Sequence, residues 1–297
     1  MSRHHYELVN VFTDRPFGGN PLAVFTNAAD IPVERMRFYA RELNLSEAVF
    51  VLPPESDDYH FRLRIFTPQM ELPMAGHPTV GAAHVLYSLG RAPTEGPLRF
   101  LEGVGVVLVH FEITDGAMMA WMTQPLPQFG PVLDDRAAVA ALLSLDESDL
   151  IPDLPVQVVS TGVPFVYVPL RGLDAIRRAA VRLDVWESLL KDTPHPHVFV
   201  LTLETEQPGS SVHTRMFAPA MGIPEDPATG AASGPLGAYL ARYALVDNPA
   251  AIVSEQGFEM GRPSMIRVRV DYADGVFRSI AIGGQTQPVG AGYFLAE

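Results

Sequence analysis

The chain has 297 residues, 47% of them hydrophobic, and a formal net charge of −13. That length supports two domains with real cores. The acidic balance, with no cluster of Lys or Arg, excludes the basic footprint of a nucleic-acid binder. The absence of cysteine excludes disulfides, thiolate nucleophiles and thiolate-bound zinc.

No apolar run reaches the roughly 18 residues of a membrane span. The opening residues, from Met1 to Glu7, lack the apolar stretch of a signal peptide, so a cytoplasmic protein is expected. Residues 6–12 alternate in polarity and are predicted as a strand. Gly18, Gly19, Asn20 and Pro21 read as a turn. It is too short for a phosphate loop and lacks its Lys, which leaves Asn20 a site candidate of second rank. Residues 22–26 are the next strand. Residues 32–43 carry a helical pattern, with Met36, Tyr39, Ala40 and Leu43 on one face, Pro32 at N1 and Asn44 as C-cap. Residues 45–52 predict a strand with Glu47 at its mouth. Further strands are predicted at 59–66, 97–102, 104–111 and 118–122. The prolines between 124 and 131 predict a linker. Beyond it come a helix at 135–143, strands at 156–161 and 165–170, and short helices from Leu173 and Asp184. Strands near 251–254, 265–270, 277–282 and 292–295 close the chain. His84 reads as a core residue. His195 and His197 have no third ligand nearby in sequence, so no metal is expected.

Two stretches match. Arg64, Phe66, Pro68, Met70 and Pro73 recur as Arg215, Phe217, Pro219, Met221 and Pro224, an offset of 151. After a two-residue deletion Pro78, Gly81, Ala82 and Ala83 recur as Pro227, Gly230, Ala231 and Ala232, an offset of 149, which sets His77 opposite Asp226. The same offset matches Val49–Leu52 with Val198–Leu201 and places Pro196 opposite Glu47. The period is far too long for a solenoid and predicts two similar domains in tandem. His77 and Asp226 stand where an N-cap belongs, each followed by Pro at N1. The helices that follow carry no charge through Leu89 and Leu240, so both are predicted to be buried and wrapped by sheet. Two helix N-termini offer N–H donors and partial positive charge to an anion, and a cleft with His77 and Asp226 on opposite lips is expected. Arg64 and Arg215 read either as forks for a substrate carboxylate or as ties within each half.

Residues 75–83 and 225–232 resemble the two signature stretches of the PhzF-like phenazine-biosynthesis family. So do residues 12–24, 45–50 and 255–263. The resemblance spans about residues 7–295. It implies an α+β fold like diaminopimelate epimerase: two pseudo-symmetric domains, each a β half-barrel around a central α-helix. The boundaries expected are 1–124 and 125–285, with residues 286–297 returning to the first domain. It also implies a homodimer and proton-transfer chemistry that needs no cofactor. The positions matching the family's catalytic residues are Glu47, His77 and Asp226. Related epimerases carry a pair of cysteines at the helix starts. This chain has none, which excludes a symmetric two-thiol racemase.

The expected activity is isomerisation of a small carboxylate substrate. Glu47 is the general base that later returns the proton, and His77 and Asp226 hold and polarise the substrate. The N–H groups of Gly76, Gly230 and Ala231, with Thr229, bind its carboxylate. Some members carry Ser at the position of Ala231, which puts the phenazine precursor in doubt as substrate. The alternatives are a non-catalytic small-molecule binder, and an epimerase or dehydratase of a hydroxylated cyclic amino acid.

Overall fold

The computed structural model describes residues 3–114 and 116–295. The chain divides into two compact units, one built from the chain up to Thr123 and from Ile282 onward, the other from Gln124 to Ala281.

The first unit contains β1 (Arg3–Val11), β2 (Asn20–Phe25), α1 (Val33–Leu43), β3 (Glu47–Leu52), β4 (Phe61–Phe66), β5 (Glu71–Leu72), α2 (Gly76–Ser88), β6 (Leu98–Glu102), β7 (Gly105–Thr114) and β8 (Ala117–Gln124). The second contains β9 (Gln128–Val132), α3 (Arg136–Leu142), β10 (Gln157–Ser160), β11 (Pro164–Pro169), α4 (Leu173–Arg178), α5 (Leu183–Leu189), β12 (His197–Thr202), β13 (Val212–Ala218), β14 (Ile223–Asp226), α6 (Gly230–Arg242), β15 (Ile252–Gln256) and β16 (Ser264–Ala273). The chain leaves it through β17 (Val276–Gly284), and β18 (Thr286–Leu295) pairs antiparallel with β1. Phe294 of β18 stacks on Tyr39 of α1 at 4.3 Å, so the returning strand completes the first unit's outer apolar cluster.

Each unit repeats one topology. β1–β2 and β10–β11 are antiparallel. β2–β3 and β11–β12 are parallel, joined through α1 in one case and α4–α5 in the other. β3–β4 and β12–β13 are antiparallel. β4 then pairs with β5 and, in parallel, with β6; β13 does the same with β14 and β15. A central helix precedes the last strand each time, α2 before β6 and α6 before β15. A parallel pair cannot be closed by a tight turn, which is why helices occupy these crossovers.

Both central helices are buried along nearly all their length. α2 packs on β1, β2, β3 and β18, and α6 on β10, β11 and β16. Glycine permits the close approach. A Cβ on Gly81 would lie 2.5 Å from Leu22 and 2.8 Å from Val11, and one on Gly237 would lie 2.6 Å from Val268. The fold is thus a pair of half-barrels, each around an apolar helix.

Several expectations need correction. The stretch read as a linker contains β9, which pairs with β10; Pro131 is tolerated in β9 at the rim of the sheet. The caps also differ. α2 begins at Gly76 with Ala75 as N-cap, so His77 lies inside the first turn. Pro78 still costs no hydrogen bond there, because first-turn N–H groups have no intrahelical acceptor. α6 begins at Gly230 with Thr229 as N-cap, and Asp226 is the last residue of β14. Asp226 precedes Pro227, which favours extended backbone. Pro32 is likewise the N-cap of α1 and not its N1 residue, while Asn44 is the left-handed C-cap expected.

The two arginines are ties within each unit. Arg64 makes a two-pronged pair with Glu71, both contacts 2.7 Å. Arg215 does the same with Glu225 at 2.8 and 2.9 Å, and its third nitrogen donates to the carbonyls of Ile176 and Ala179. The fork of each guanidinium is thus taken by a carboxylate of its own unit.

The last correction concerns register. Val49–Leu52 matches Val198–Leu201 by sequence, but Phe50 pairs with Arg64 while Val200 pairs with Arg215. The equivalent offset along these strands is therefore 150. Packing agrees: Ala48 and Phe50 join the outer cluster with α1, as Val198 and Val200 join the outer cluster with α3 and α5. A one-residue slip would turn every side chain to the wrong face. The counterpart of Glu47 is thus His197, not Pro196.

Candidate active site

In the first unit three element starts converge. Asn20 opens β2, Glu47 opens the parallel neighbour β3, and His77 sits in the first turn of α2. All three are buried, with 0%, 8% and 3% of their surface exposed. Asn20 Nδ2 donates to His77 Nδ1 at 3.1 Å. An Nδ1 that accepts carries no proton, so the neutral ring holds its proton on Nε2. Nε2 lies 3.2 Å from Glu47 Oε2. The approach is close but not aligned as a full hydrogen bond. Burial pushes the imidazole down to about 3. His77 is therefore a neutral donor beside the Glu47 carboxyl, not half of an ion pair.

In the second unit Asp226 is also buried. Thr229 Oγ1 donates to Asp226 Oδ2 at 2.6 Å. Gln256, the last residue of β15, binds the whole turn. Its Nε2 donates to the Asp226 carbonyl at 2.7 Å and to Thr229 Oγ1 at 3.0 Å, and its Oε1 accepts from the Thr229 N–H at 3.0 Å. The N–H groups of Ala232 and Ser233 close on the Thr229 carbonyl. Gly230 and Ala231 thus carry the first two N–H groups of α6. Gly230 is buried and Ala231 half-buried.

Sequence reasoning placed Glu47, His77 and Asn20 as candidates, and the fold gathers them into one cluster. Thr229 is the partner of Asp226. Gln256 lies in the stretch 255–263 that carries part of the family resemblance, but its role as the clamp on Asp226 was not legible. Among the described residues no group of three or more His, Cys, Asp or Glu side chains is arranged to hold a metal.

Residues 9–292 match the family model described as phenazine biosynthesis-like protein. The chain belongs to that family. It is 38% identical to a trans-2,3-dihydro-3-hydroxyanthranilate isomerase of Pseudomonas aeruginosa over 95% of both chains. It is 36% identical to an uncharacterised isomerase of Mesorhizobium japonicum over 98% of this chain and 99% of that one. Among solved structures, a PhzF-family phenazine biosynthesis protein of Bacillus anthracis matches with a TM-score of 0.91 and 29% identity, covering 100% of both chains. A hydroxyproline epimerase from Agrobacterium vitis matches with a TM-score of 0.62 and 12% identity over 98% of this chain and 92% of that one. That last likeness is one of fold alone. The PhzF-like chain is accordingly an isomerase-family enzyme with an epimerase-like fold. No helix among its described residues is long and apolar enough to cross a membrane.

Proposed function

We propose that this enzyme moves a proton within a small carboxylate-bearing substrate, with Glu47 as the base that removes the proton and the acid that returns it. The observation that carries the reading is the Glu47–His77–Asn20 cluster. A carboxyl at a strand mouth is ordinarily solvated; this one is buried beside a neutral imidazole whose proton faces it. Such a group takes and returns one proton without net charge transfer to water. Asp226, oriented by Thr229 and Gln256, supplies a second fixed acceptor. The Gly76, Gly230 and Ala231 N–H groups are suited to a substrate carboxylate. The reading requires no cofactor. It extends to a homodimer, which sedimentation equilibrium would test.

The substrate class follows from the relatives that are trans-2,3-dihydro-3-hydroxyanthranilate isomerases. The experiment is turnover of that compound in heavy water. The expected result is product labelled at carbon, with labelling lost in Glu47→Gln. Undiminished turnover by Glu47→Gln would remove Glu47 from the mechanism.

A further inference from the structure

Glu102 is a buried acid that the proposed mechanism does not use. It ends β6 as Gln256 ends β15, and the strand pairing makes the two equivalent. Phe61 and Arg62 of β4 pair with Phe100 and Leu101; Val212, His213 and Thr214 of β13 pair with Ser254, Glu255 and Gln256. Since Arg64 corresponds to Arg215, the next step along β6 sets Glu102 where Gln256 stands. A glycine follows each. A Cβ on Gly103 would lie 2.8 Å from Pro73, and one on Gly257 would lie 2.5 Å from the Pro227 carbonyl. Each strand end therefore presses on a turn that leads into its unit's central helix.

The hydrogen bonds are alike in kind, each running from the strand end to a threonine of the helix start, although Thr79 matches Ala228 and not Thr229 in the repeat. Gln256 Nε2 donates to Thr229 Oγ1, and Thr229 Oγ1 donates to Asp226 Oδ2. In the first unit Thr79 Oγ1 lies 2.7 Å from the Ala75 carbonyl and 2.5 Å from Glu102 Oε1. One hydroxyl carries one proton and cannot donate to both. If Glu102 carries a proton, its O–H donates to Oγ1 while Oγ1 donates to Ala75, and both short contacts are met. The other oxygen, Oε2, is buried with no hydrogen-bond partner among the described residues. An orphaned carbonyl oxygen costs far less than an orphaned carboxylate.

We propose that Glu102 is a positioning residue for His77: as a neutral acid it does for the α2 turn what the Gln256 amide does for the α6 turn, tying the strand end to the residues that flank the imidazole. Ala75 and Thr79 stand two residues before and after His77 in the chain. Burial pushes Glu102 up to about 8, against the opposing pull of the Thr79 hydroxyl and the Ala75 N–H. The ionisable groups on the elements around it are His77 and His84 of α2, Arg62 and Arg64 of β4, Arg99 of β6, Glu71 of β5, and His110 and Glu112 of β7. Arg62 and Arg64 are taken up by Glu55 and Glu71. Ionisation above pH 8 breaks the donor chain and frees the turn.

The inference rests on His77 being a site residue, but its test does not require turnover. The variants are Glu102→Gln, which supplies the same donor and acceptor permanently, and Glu102→Leu, which supplies neither. The first readout is the ring nitrogen resonances of His77 in histidine-labelled protein between pH 6 and 9.5. His77 does not itself titrate there. Its signals should move with a midpoint near 8 in the wild type and stay fixed in Glu102→Gln. The second is the melting temperature. Glu102 ionises near 8 folded and near 4.5 unfolded, so the folded state binds more protons and the wild type loses stability between those values. Glu102→Gln should lose at least about 5 °C less than the wild type from pH 5 to 8.5. Should Glu102→Leu fail to fold, Glu102→Gln alone decides. The same pH dependence of the His77 resonances in wild type and Glu102→Gln, or a Glu102→Gln protein less stable than wild type at pH 8.5, overturns the proposal. With trans-2,3-dihydro-3-hydroxyanthranilate as probe, Glu102→Gln should keep kcat/KM within about twofold at pH 7 and lose the alkaline fall. A probe that is not turned over strikes the proposed function and leaves the resonance test standing.

Discussion

The turn before α2 and the turn before α6 are two solutions to one problem. Both lie between a short strand and an apolar helix, and both are clamped by the last side chain of a parallel neighbour strand. In the second unit that clamp is an amide, Gln256, which makes three hydrogen bonds and fixes Asp226. In the first unit it is an acid, Glu102, and the turn carries a neutral imidazole. The strand mouths differ in the same spirit: Glu47 in the first unit, and in the second the buried His197, which burial pushes down to about 4. A duplicated scaffold thus holds unlike groups at like places. Backbone topology is set by apolar packing that both halves share, while a single buried polar residue can change without disturbing it.

The largest expected effect separates the strand mouths. Glu47→Gln should lower kcat by about 10²–10⁴ with KM little changed, the range for a positioned acid–base. His197→Gln should lower kcat by less than about tenfold. Steady-state kinetics on both variants checks this, and equal losses would make the two units equivalent in catalysis.

Exchanging the clamps is the next test. Gln256→Glu should destabilise by about 1–3 kcal/mol at pH 7, because a carboxylate cannot donate to the Asp226 carbonyl. The loss should shrink at pH 5, where the acid is protonated. Denaturant melts at the two pH values measure it. Helix packing predicts symmetry instead. Gly81→Ala and Gly237→Ala should each cost about 1–3 kcal/mol, since each new Cβ meets buried side chains at under 3 Å.

The smallest effect concerns the residues that pair beside the clamps. His213 lies buried between Glu255 at 2.8 Å and Glu259 at 3.0 Å. Burial opposes its charge, but the two carboxylates outweigh it and raise it to about 9. Its folded value exceeds the usual 6.5, so its contribution is complete below pH 6.5 and is lost as pH rises through 9. Replacing it with Gln should remove about 2 kcal/mol at pH 6 and little at pH 10. Its counterpart Arg62 pairs with Glu55 in the open, and Arg62→Gln should change stability by less than about 0.5 kcal/mol at any pH.

Much of this was legible beforehand. Alternating runs located most strands, because a half-buried strand must alternate. The uncharged stretches after His77 and Asp226 announced buried helices, because a helix without a polar face has no stable place in water. Glu47 was visible through the family resemblance and not through its own chemistry. β5 and β14 went unread: each is too short to show a period. Glu102 and Gln256 were hidden for another reason. A single polar residue before a glycine reads as a turn, and only strand pairing reveals that both end beneath a helix.

The sequence by itself determined the duplication, and through its family resemblance it pointed to the half-barrel class and to Glu47, His77 and Asp226 as candidates, since motif order and internal repeats survive in one dimension. Tertiary structure alone decided register, protonation and partnership. A one-residue shift along β12 makes His197, not Pro196, the equivalent of Glu47, and Arg64 and Arg215 turn inward to Glu71 and Glu225. The charge state of His77 and Glu102 follows from removal of water. Desolvation depends on what surrounds a group on every side, and the neighbours that exclude water come from strands far apart along the chain.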